Sequence, residues 1–396
     1  MGDFTPKSVC VLGRQPALGI AELESVYGAN RIRPANGFAL LDIDAGDINF
    51  KRFGGTIKVA RILNILKTTD WHQLLKYLKD TIPRHLEYLP KGKFTLGLSL
   101  YGFDVPVKDI NSGLLATKKL LKPAGRSVRV VPNKTSALSS AQVLHNKLTH
   151  KGAWELLLIK DGSETILAQT MFVQDIESYA ARDQARPKRD PRVGMLPPKL
   201  AQIIINLAQP PAGGTVLDPF CGTGVILQEA LLIGYGVVGS DIEPRMVDYS
   251  KTNLNWLASK IETTDANFEV FIADATSHKW TTSFDSLASE VYLGRPLTKL
   301  PSPSEMQKII NDVNTIIQKF LKNLHPQLSK ASRICLAVPA WRQGQKFIHL
   351  PLIDHLSDMG YNRLDLVYVS SDDLIYFRES QIVARELLIL ERRQDV

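Results

Sequence analysis

The residues best suited to chemistry lie between Val216 and Val225, in the sequence Val-Leu-Asp-Pro-Phe-Cys-Gly-Thr-Gly-Val. The apolar residues before Asp218 predict a buried strand, and the apolar spacing after the glycines predicts a helix. The glycines therefore lie at a strand-to-helix crossing, where the backbone can approach a ligand closely. A second predicted strand ends at Asp241, roughly 20 residues further on, the spacing at which an acidic side chain reaches a ribose hydroxyl in such folds. The pattern predicts a site for a cofactor that contains adenosine.

Three aspartates, Asp218, Asp241 and Asp274, follow successive predicted strands. Their carboxylates would gather at one edge of a sheet and repel a phosphate-rich ligand. The segment also lacks the third glycine of G-x-G-x-x-G and the Lys-Ser/Thr of a Walker loop. S-adenosylmethionine, with its sulfonium and ammonium charges, therefore fits best, and no metal is required. The alternative is a glycine turn with three solvated aspartates. The expected cofactor-binding residues are Asp218, Phe220, Gly222, Gly224, Asp241, Ile242, Asp274 and Ala275.

The composition is that of a soluble globular protein with two or three domains, because the chain has 396 residues, 44% hydrophobic and 22% charged. Its apolar runs are too short to span a bilayer, and the N-terminus does not resemble a signal peptide. The cysteines are far apart, which argues against a disulfide framework or a zinc site and favours a cytoplasmic protein. They are Cys10, Cys221 and Cys335.

Positive charge is concentrated in two stretches outside the predicted cofactor segment. The net charge of +8 and the pI near 9.2 indicate a polyanionic partner only weakly. A solvated surface explains either stretch alone equally well, but two such stretches favour nucleic acid. The expected RNA-binding residues are Lys118, Lys119, Lys122, Arg126, Arg186, Lys188 and Arg189.

The first half of the chain mixes predicted strands and helices. Residues 17–27 have helical spacing, with Leu23 on the apolar face and Glu22 and Glu24 facing water. Two later strands are predicted to form a hairpin at Asp161-Gly162, since Asp-Gly suits a tight turn. The pattern is therefore α+β.

The second half alternates between strands and helices after a polar segment. Residues 174–198 are rich in Arg, Lys, Asp and Pro and predict a linker. A helix is expected over residues 199–208. The alternation that follows predicts a doubly wound, mostly parallel sheet with its ligand at the carboxyl ends of the first strands. The expected strands are 216–218, 237–241, 269–273, 286–292, 333–338, 365–368 and 387–390.

Four segments resemble one enzyme family. Residues 217–224 resemble the highly specific first motif of nucleic-acid amino-methyltransferases, Asp-Pro-Phe-Cys-Gly-Ser/Thr-Gly. Residues 186–200 are similar to the linker of THUMP-containing tRNA guanine-N2-methyltransferases, most of all the group that acts on guanosine 10. Residues 12–24 and 376–386 are similar to the N-terminal domain and the C-terminal end of that group.

This resemblance implies an α/β chain in which a C-terminal Rossmann-like methyltransferase domain follows an α+β half with a THUMP-like module. The implied partner is tRNA, and the implied reaction transfers a methyl group from S-adenosylmethionine to the exocyclic N2 amine of a guanosine, at position 10. A partner subunit and a second methyl transfer remain open. The implied domains are an N-terminal α+β domain (1–65), a THUMP-like RNA-binding domain (66–175), a basic linker (176–199) and the methyltransferase domain (200–396).

One loop departs from the family pattern. These enzymes carry Asp/Asn-Pro-Pro-Tyr after the fourth strand, where the acidic group accepts hydrogen bonds from the exocyclic amine and the ring stacks on the flipped base. Residues 288–294 read Ala-Ser-Glu-Val-Tyr-Leu-Gly instead. The resemblance then implies Glu290 and Tyr292 as the catalytic residues, with Tyr292 one position early.

Two other functions remain open from the sequence. The loop at Glu290 could merely close the sheet, so that the protein holds tRNA and cofactor with weak or no methyltransferase activity. A DNA amino-methyltransferase is the third possibility, against which the THUMP-like half argues.

Overall fold

The computed structural model describes residues 4–86, 88, 92–121, 127–190, 195–261, 267–297, 299–330 and 332–393. The chain forms two compact units. Unit 1 comprises residues 1–14, 30–50 and 56–177, and unit 2 comprises residues 15–29, 51–55 and 178–396.

Strands and helices are mixed in both units. The strands are β1 (Ser8–Leu12), β2 (Ile32–Ala35), β3 (Phe38–Leu41), β4 (Thr56–Leu66), β5 (Phe94–Tyr101), β6 (Val128–Val130), β7 (Ala153–Asp161), β8 (Glu164–Val173), β9 (Thr215–Asp218), β10 (Gly236–Asp241), β11 (Phe268–Ile272), β12 (Ser286–Glu290), β13 (Arg333–Gln343), β14 (Lys346–Ile348), β15 (Tyr361–Arg363), β16 (Ile375–Tyr376) and β17 (Val383–Arg392). The helices are α1 (Pro16–Tyr27), α2 (Trp71–Leu86), α3 (Val107–Leu121), α4 (Ser140–His145), α5 (Ile176–Gln184), α6 (Pro198–Ala208), α7 (Val225–Leu232), α8 (Pro244–Ile261) and α9 (Pro303–Leu324). None of the helices in the described ranges is both long and apolar enough to cross a membrane.

Unit 1 contains one sheet, which has eight strands within the described residues, in the order β2-β3-β1-β4-β8-β7-β5-β6. β5 runs parallel to β6 and β7, and the other pairs are antiparallel. The expected hairpin joins β7 and β8, with Asp161 opposite Glu164 and Gly162 at a φ of +62°. Helix α2 buries Leu74, Leu78 and Ile82 at the four-residue spacing of one helix face.

Unit 2 is built on a second sheet, ordered β11-β10-β9-β12-β13-β17-β15 along its main path. Strands β9 to β13 pair in parallel, whereas β17 runs antiparallel to β13. Consecutive residues of a strand point to opposite faces. Val216 accordingly packs with α6 and α7, and Leu217 packs with α9. Helices therefore cover both faces, and the carboxyl ends of the parallel strands are left as an open edge.

Two expectations about local structure are wrong. Residues 365–368 form no strand, because β15 pairs with β17 just before them and the backbone N–H groups of Val367 and Tyr368 donate to the Glu24 carboxylate. Glu22 and Glu24 do not face water, since they are 0% and 7% exposed. The polar segment 174–198, predicted to be a linker, contains helix α5, and none of the side chains of this helix is buried.

Candidate active site

The turn between β9 and α7 depends on glycine. Gly222 and Gly224 have left-handed φ values of +51° and +79°, which residues with a Cβ adopt at a steric cost. A Cβ on Gly224 would also lie 2.3 Å from the Ser250 hydroxyl oxygen. On the neighbouring strand, a Cβ on Gly239 would lie 2.4 Å from Cδ1 of Leu227. Small residues at these positions let α7 and the turn pack directly against β10 and α8.

Asp241 connects the turn to the end of β10. Its Oδ2 accepts a hydrogen bond from the Gly222 N–H at 2.9 Å, and its Oδ1 accepts one from the Glu243 N–H at 2.9 Å. Burial raises the pKa of Asp241, and these two donors act in the opposite direction. The carboxylate thus holds the shape of the turn and also lines the adjoining cavity.

Asp218 is the most deeply buried carboxylate at this edge, with 2% of its surface exposed. Its Oδ1 accepts from the Ser289 hydroxyl at 2.6 Å and from the Phe220 N–H at 3.3 Å. Burial, with smaller contributions from Asp241 and Glu290, raises the pKa of Asp218 to about 7. Sequence reasoning missed Ser289, although its position just before Glu290 on a strand beside β9 is the signal that could have found it.

A cavity of about 780 Å³ opens at the carboxyl ends of β9, β10 and β12. It brings together all but one of the expected cofactor-binding residues: Asp218, Phe220, Gly222, Asp241, Ile242, Asp274 and Ala275. The exception is Gly224, which packs on Ser250 instead. Asp274 is held in place because its Oδ1 accepts hydrogen bonds from both the N–H and the hydroxyl of Thr276, at 2.8 and 2.7 Å.

Glu290 and Tyr292 line the same cavity. Glu290 is the last residue of β12, and its Oε1 accepts a hydrogen bond from Nε of Arg385 at 2.7 Å. The Tyr292 ring is 45% exposed. Arg385, which lies on β17, has no sequence signal of its own. The structure therefore adds a buried cation to the acidic group that the sequence predicts.

The burial of Cys221 favours a packing role in the turn over a nucleophilic one. Its side chain is 5% exposed, and burial raises the pKa of its thiol well above the ordinary value. The thiol sulfur lies 3.5 Å from the position that a Cβ on Gly239 would occupy. A small side chain at position 221 therefore lets the turn pack closely against β10.

The expected RNA-binding residues differ in exposure. Lys119, Lys188 and Arg189 are exposed, and Lys118 is half-buried. The prediction for Arg186 is wrong, because its side chain is 3% exposed and its guanidinium does not reach the surface. The remaining two predictions, Lys122 and Arg126, fall outside the described residues.

Part of the predicted linker is attached to the elements that form the site. The Asn253 side chain accepts a hydrogen bond from the Lys188 N–H and donates to the Lys188 and Thr223 carbonyls, each at 2.9 Å. Asp190 forms an ion pair with Arg245, a residue of the cavity wall, at 2.9 Å. Residues 188–190 are therefore tied to the cofactor turn and to α8.

Domain comparisons agree with this geometry. Residues 186–355 match the model of the RMKL-like methyltransferase domain. A model described as DNA methylase matches residues 110–252. The fold and the site together define a Rossmann-like methyltransferase domain.

The particular relatives are tRNA-modifying enzymes. A tRNA (guanine(10)-N2)-dimethyltransferase of Methanothermobacter thermautotrophicus is 36% identical over 191 residues, which cover 47% of this chain and 51% of that enzyme. The chain thus spans about half the length of this curated relative. The resemblance to the guanosine-10 group, predicted from the sequence, is confirmed.

Solved structures match nearly the whole chain. TrmN from Thermus thermophilus has a TM-score of 0.53 and 15% identity, with 97% of this chain and 98% of TrmN covered. SMU.472, solved in complex with SAH, has a TM-score of 0.52 and 12% identity, with 100% of both chains covered. At these identities the likeness concerns the fold alone. The predicted fold class, an α/β chain with a C-terminal Rossmann-like methyltransferase domain, is confirmed.

Proposed function

We propose that this chain is an S-adenosylmethionine-dependent tRNA methyltransferase that modifies the exocyclic N2 amine of a guanosine, at position 10. The observation that carries the proposal is the cavity at the carboxyl ends of β9, β10 and β12. It joins a glycine turn and strand-end carboxylates to Glu290 and Tyr292. The name of the relative supplies the target nucleotide. A tRNA substrate and three buried cysteine thiols fit a cytoplasmic protein.

The cavity suits a cationic cofactor that carries adenosine. Asp218, Asp241 and Asp274 contribute carboxylates, and the apolar side chain of Ile242 is 67% exposed beside them. The neighbour SMU.472 was solved with SAH, the demethylated form of this cofactor. When bound, S-adenosylmethionine supplies an electrophilic methyl group on a sulfonium. Asp241 would accept hydrogen bonds from ribose hydroxyls, as an acidic residue at the end of a second strand does in related folds.

The residues around Glu290 would hold the acceptor base. The Glu290 carboxylate would accept a hydrogen bond from the exocyclic amine and so orient the nitrogen lone pair toward the cofactor. The Tyr292 ring would stack on the guanine, which must leave its helix to reach the cavity. Methyl transfer between two bound groups gains much of its rate from such positioning.

We infer that exposed basic residues bind the tRNA backbone. Lys118, Lys119, Lys188 and Arg189 carry positive charge at or near the surface. Structured RNA is recognised largely through shape, phosphates and 2′-hydroxyls. Residues 66–175, which belong to unit 1, would form the THUMP-like RNA-binding module, and unit 2 would carry the chemistry.

The test is methyl transfer to unmodified tRNA transcripts. The protein is incubated with methyl-labelled S-adenosylmethionine, and the tRNA is digested to nucleosides and analysed by mass spectrometry. We expect label in N2-methylguanosine or its dimethyl form, and none in a transcript with inosine at position 10, because inosine lacks the N2 amine.

Variants connect this activity to the cavity. Glu290→Ala should lower kcat by about 100-fold, since an orienting group is lost. Glu379→Ala, which removes an exposed glutamate outside the cavity, should leave kcat unchanged. Cofactor binding without label in tRNA would favour a protein that holds tRNA and cofactor without methylating. In a parallel incubation with DNA, label in DNA but not in tRNA would favour the DNA methylase suggested by the second domain match.

A further inference from the structure

Glu290 and Arg385 lie on strands that are not neighbours. Glu290 on β12 pairs with Ala337 on β13, and Arg385 on β17 pairs with Pro339 on β13. Adjacent strands are about 4.8 Å apart, so the two backbones are separated by roughly 10 Å. Only two long side chains can bridge such a gap.

The residues between them leave a path across β13. Because side chains alternate between faces, Ala337 and Pro339 share the face on which Glu290 and Arg385 meet. Ala337 is fully buried and small, which leaves room for the arginine to reach over it. A glutamate at position 290 is therefore matched to its partner, and an aspartate would be one methylene short.

The hydrogen bond between Arg385 and Glu290 is short and largely buried. The Arg385 Nε donates to Oε1 of Glu290 at 2.7 Å, and the two side chains are 7% and 16% exposed. Charge-assisted hydrogen bonds of this length are stronger than neutral ones. Within the part of the chain that the structure describes, Oε2 of Glu290 has no hydrogen-bond partner, and Glu290 lines the cavity.

We propose that Arg385 is a positioning residue for methyl transfer: it holds one oxygen of Glu290 so that the other accepts a hydrogen bond from the amine of the substrate base. This inference rests on the proposed function, because it assigns Oε2 to the acceptor amine. Arg385 itself touches neither the base nor the cofactor. Its whole effect on the reaction passes through Glu290.

A double-mutant cycle tests that route. Arg385→Met should lower kcat by about 10- to 100-fold, since a small displacement of a catalytic group has effects of this size. The KM for tRNA and the affinity for S-adenosylmethionine should stay within about twofold of the wild-type values. In a Glu290→Gln background the same substitution should change kcat by less than about twofold, because residues that act as a unit are not additive.

Two further variants separate positioning from folding. Arg385→Lys keeps a buried positive charge and should retain more kcat than Arg385→Met, and it gives the same cycle if Arg385→Met does not fold. Arg363→Met is the matched control, because Arg363 pairs with Glu386 at 3.0 Å, and Glu386 points to the other face of β17. It should lower the melting temperature and leave kcat unchanged.

The outcomes distinguish the two proposals. An active wild type in which the effects of Arg385→Met and Glu290→Gln on kcat multiply would overturn the positioning role and leave the proposed function standing. An unchanged kcat in Arg385→Met would do the same. A wild type that binds the cofactor and methylates no tRNA would overturn both.

Discussion

Among the individual residues of the site, Asp218 has the charge that is most sensitive to its surroundings. It is buried, it accepts hydrogen bonds from Ser289 and Phe220, and its pKa is raised to about 7. Near neutral pH the unliganded protein is therefore divided between protonated and ionised Asp218. A cationic ligand in the cavity favours the ionised form.

The affinity for S-adenosylmethionine should consequently rise with pH. Below about pH 7, binding must release the proton of Asp218, so the Kd should fall as pH increases from 6 to 8, by about tenfold. The raised pKa of Asp241 acts in the same direction. Titration calorimetry across this range measures the slope. Asp218→Asn should bind more weakly with a shallower slope, and an unchanged slope in this variant would contradict the role of Asp218.

Among the secondary-structure elements, α1 is attached to α6 by a buried glutamate. Glu22 accepts hydrogen bonds from the backbone N–H groups of Gly54 and Gly55, at 2.9 and 2.8 Å, and from the Asn206 side chain at 2.7 Å. Burial raises its pKa to about 7, and the three donors oppose that shift. All four residues belong to unit 2, so the N-terminal helix is part of the unit that contains the candidate active site.

Replacing this acceptor should destabilise unit 2. Glu22→Gln turns an amide NH₂ toward groups that are themselves donors, so at least one buried N–H loses its partner. We expect the free energy of unfolding to fall by about 2–4 kcal/mol. Urea denaturation of the full chain, monitored through the fluorescence of a tryptophan in unit 2, measures the change. Glu379→Gln, at an exposed position, is the control, and equal stability of the two variants would show that the Glu22 contacts contribute little.

At the scale of the whole molecule, the basic residues of both units should determine how tRNA binding depends on salt. Each phosphate contact that is lost should reduce the slope of log Kobs against log salt concentration by about 0.7–0.9. Lys188→Ala combined with Arg189→Ala should therefore reduce the slope by about 1.5. The slope is measured by fluorescence anisotropy with labelled tRNA at salt concentrations from about 50 to about 300 mM.

Matched variants define what this change means. Lys118→Ala combined with Lys119→Ala, which removes two lysines of unit 1, should reduce the slope by a similar amount. Lys346→Ala removes an exposed lysine near the C-terminal strands and should leave the slope unchanged. An equal reduction in all three proteins would indicate a general effect of net charge rather than contacts at the proposed positions.

The sequence by itself determined the features that depend on residues close together in the chain. The strand, turn and helix around Asp218, the ends of β10 and β11, and the β7–β8 hairpin follow from local spacing, because backbone preference and apolar period act over a few residues. Asp218, Asp241 and Asp274 could be placed together because parallel strands end at a common edge. The cavity and its lining agree with that prediction.

Only the tertiary structure decided which polar side chains are buried and what they contact. Ser289 and Asp218 are separated by 71 residues, and Glu290 and Arg385 by 95. Glu22 and Asn206 are 184 residues apart. The sequence pattern predicted that Glu22 faces water and that Arg186 binds RNA, because a charged residue is usually solvated. Packing between distant elements removed both from solvent, and no local pattern contains that information.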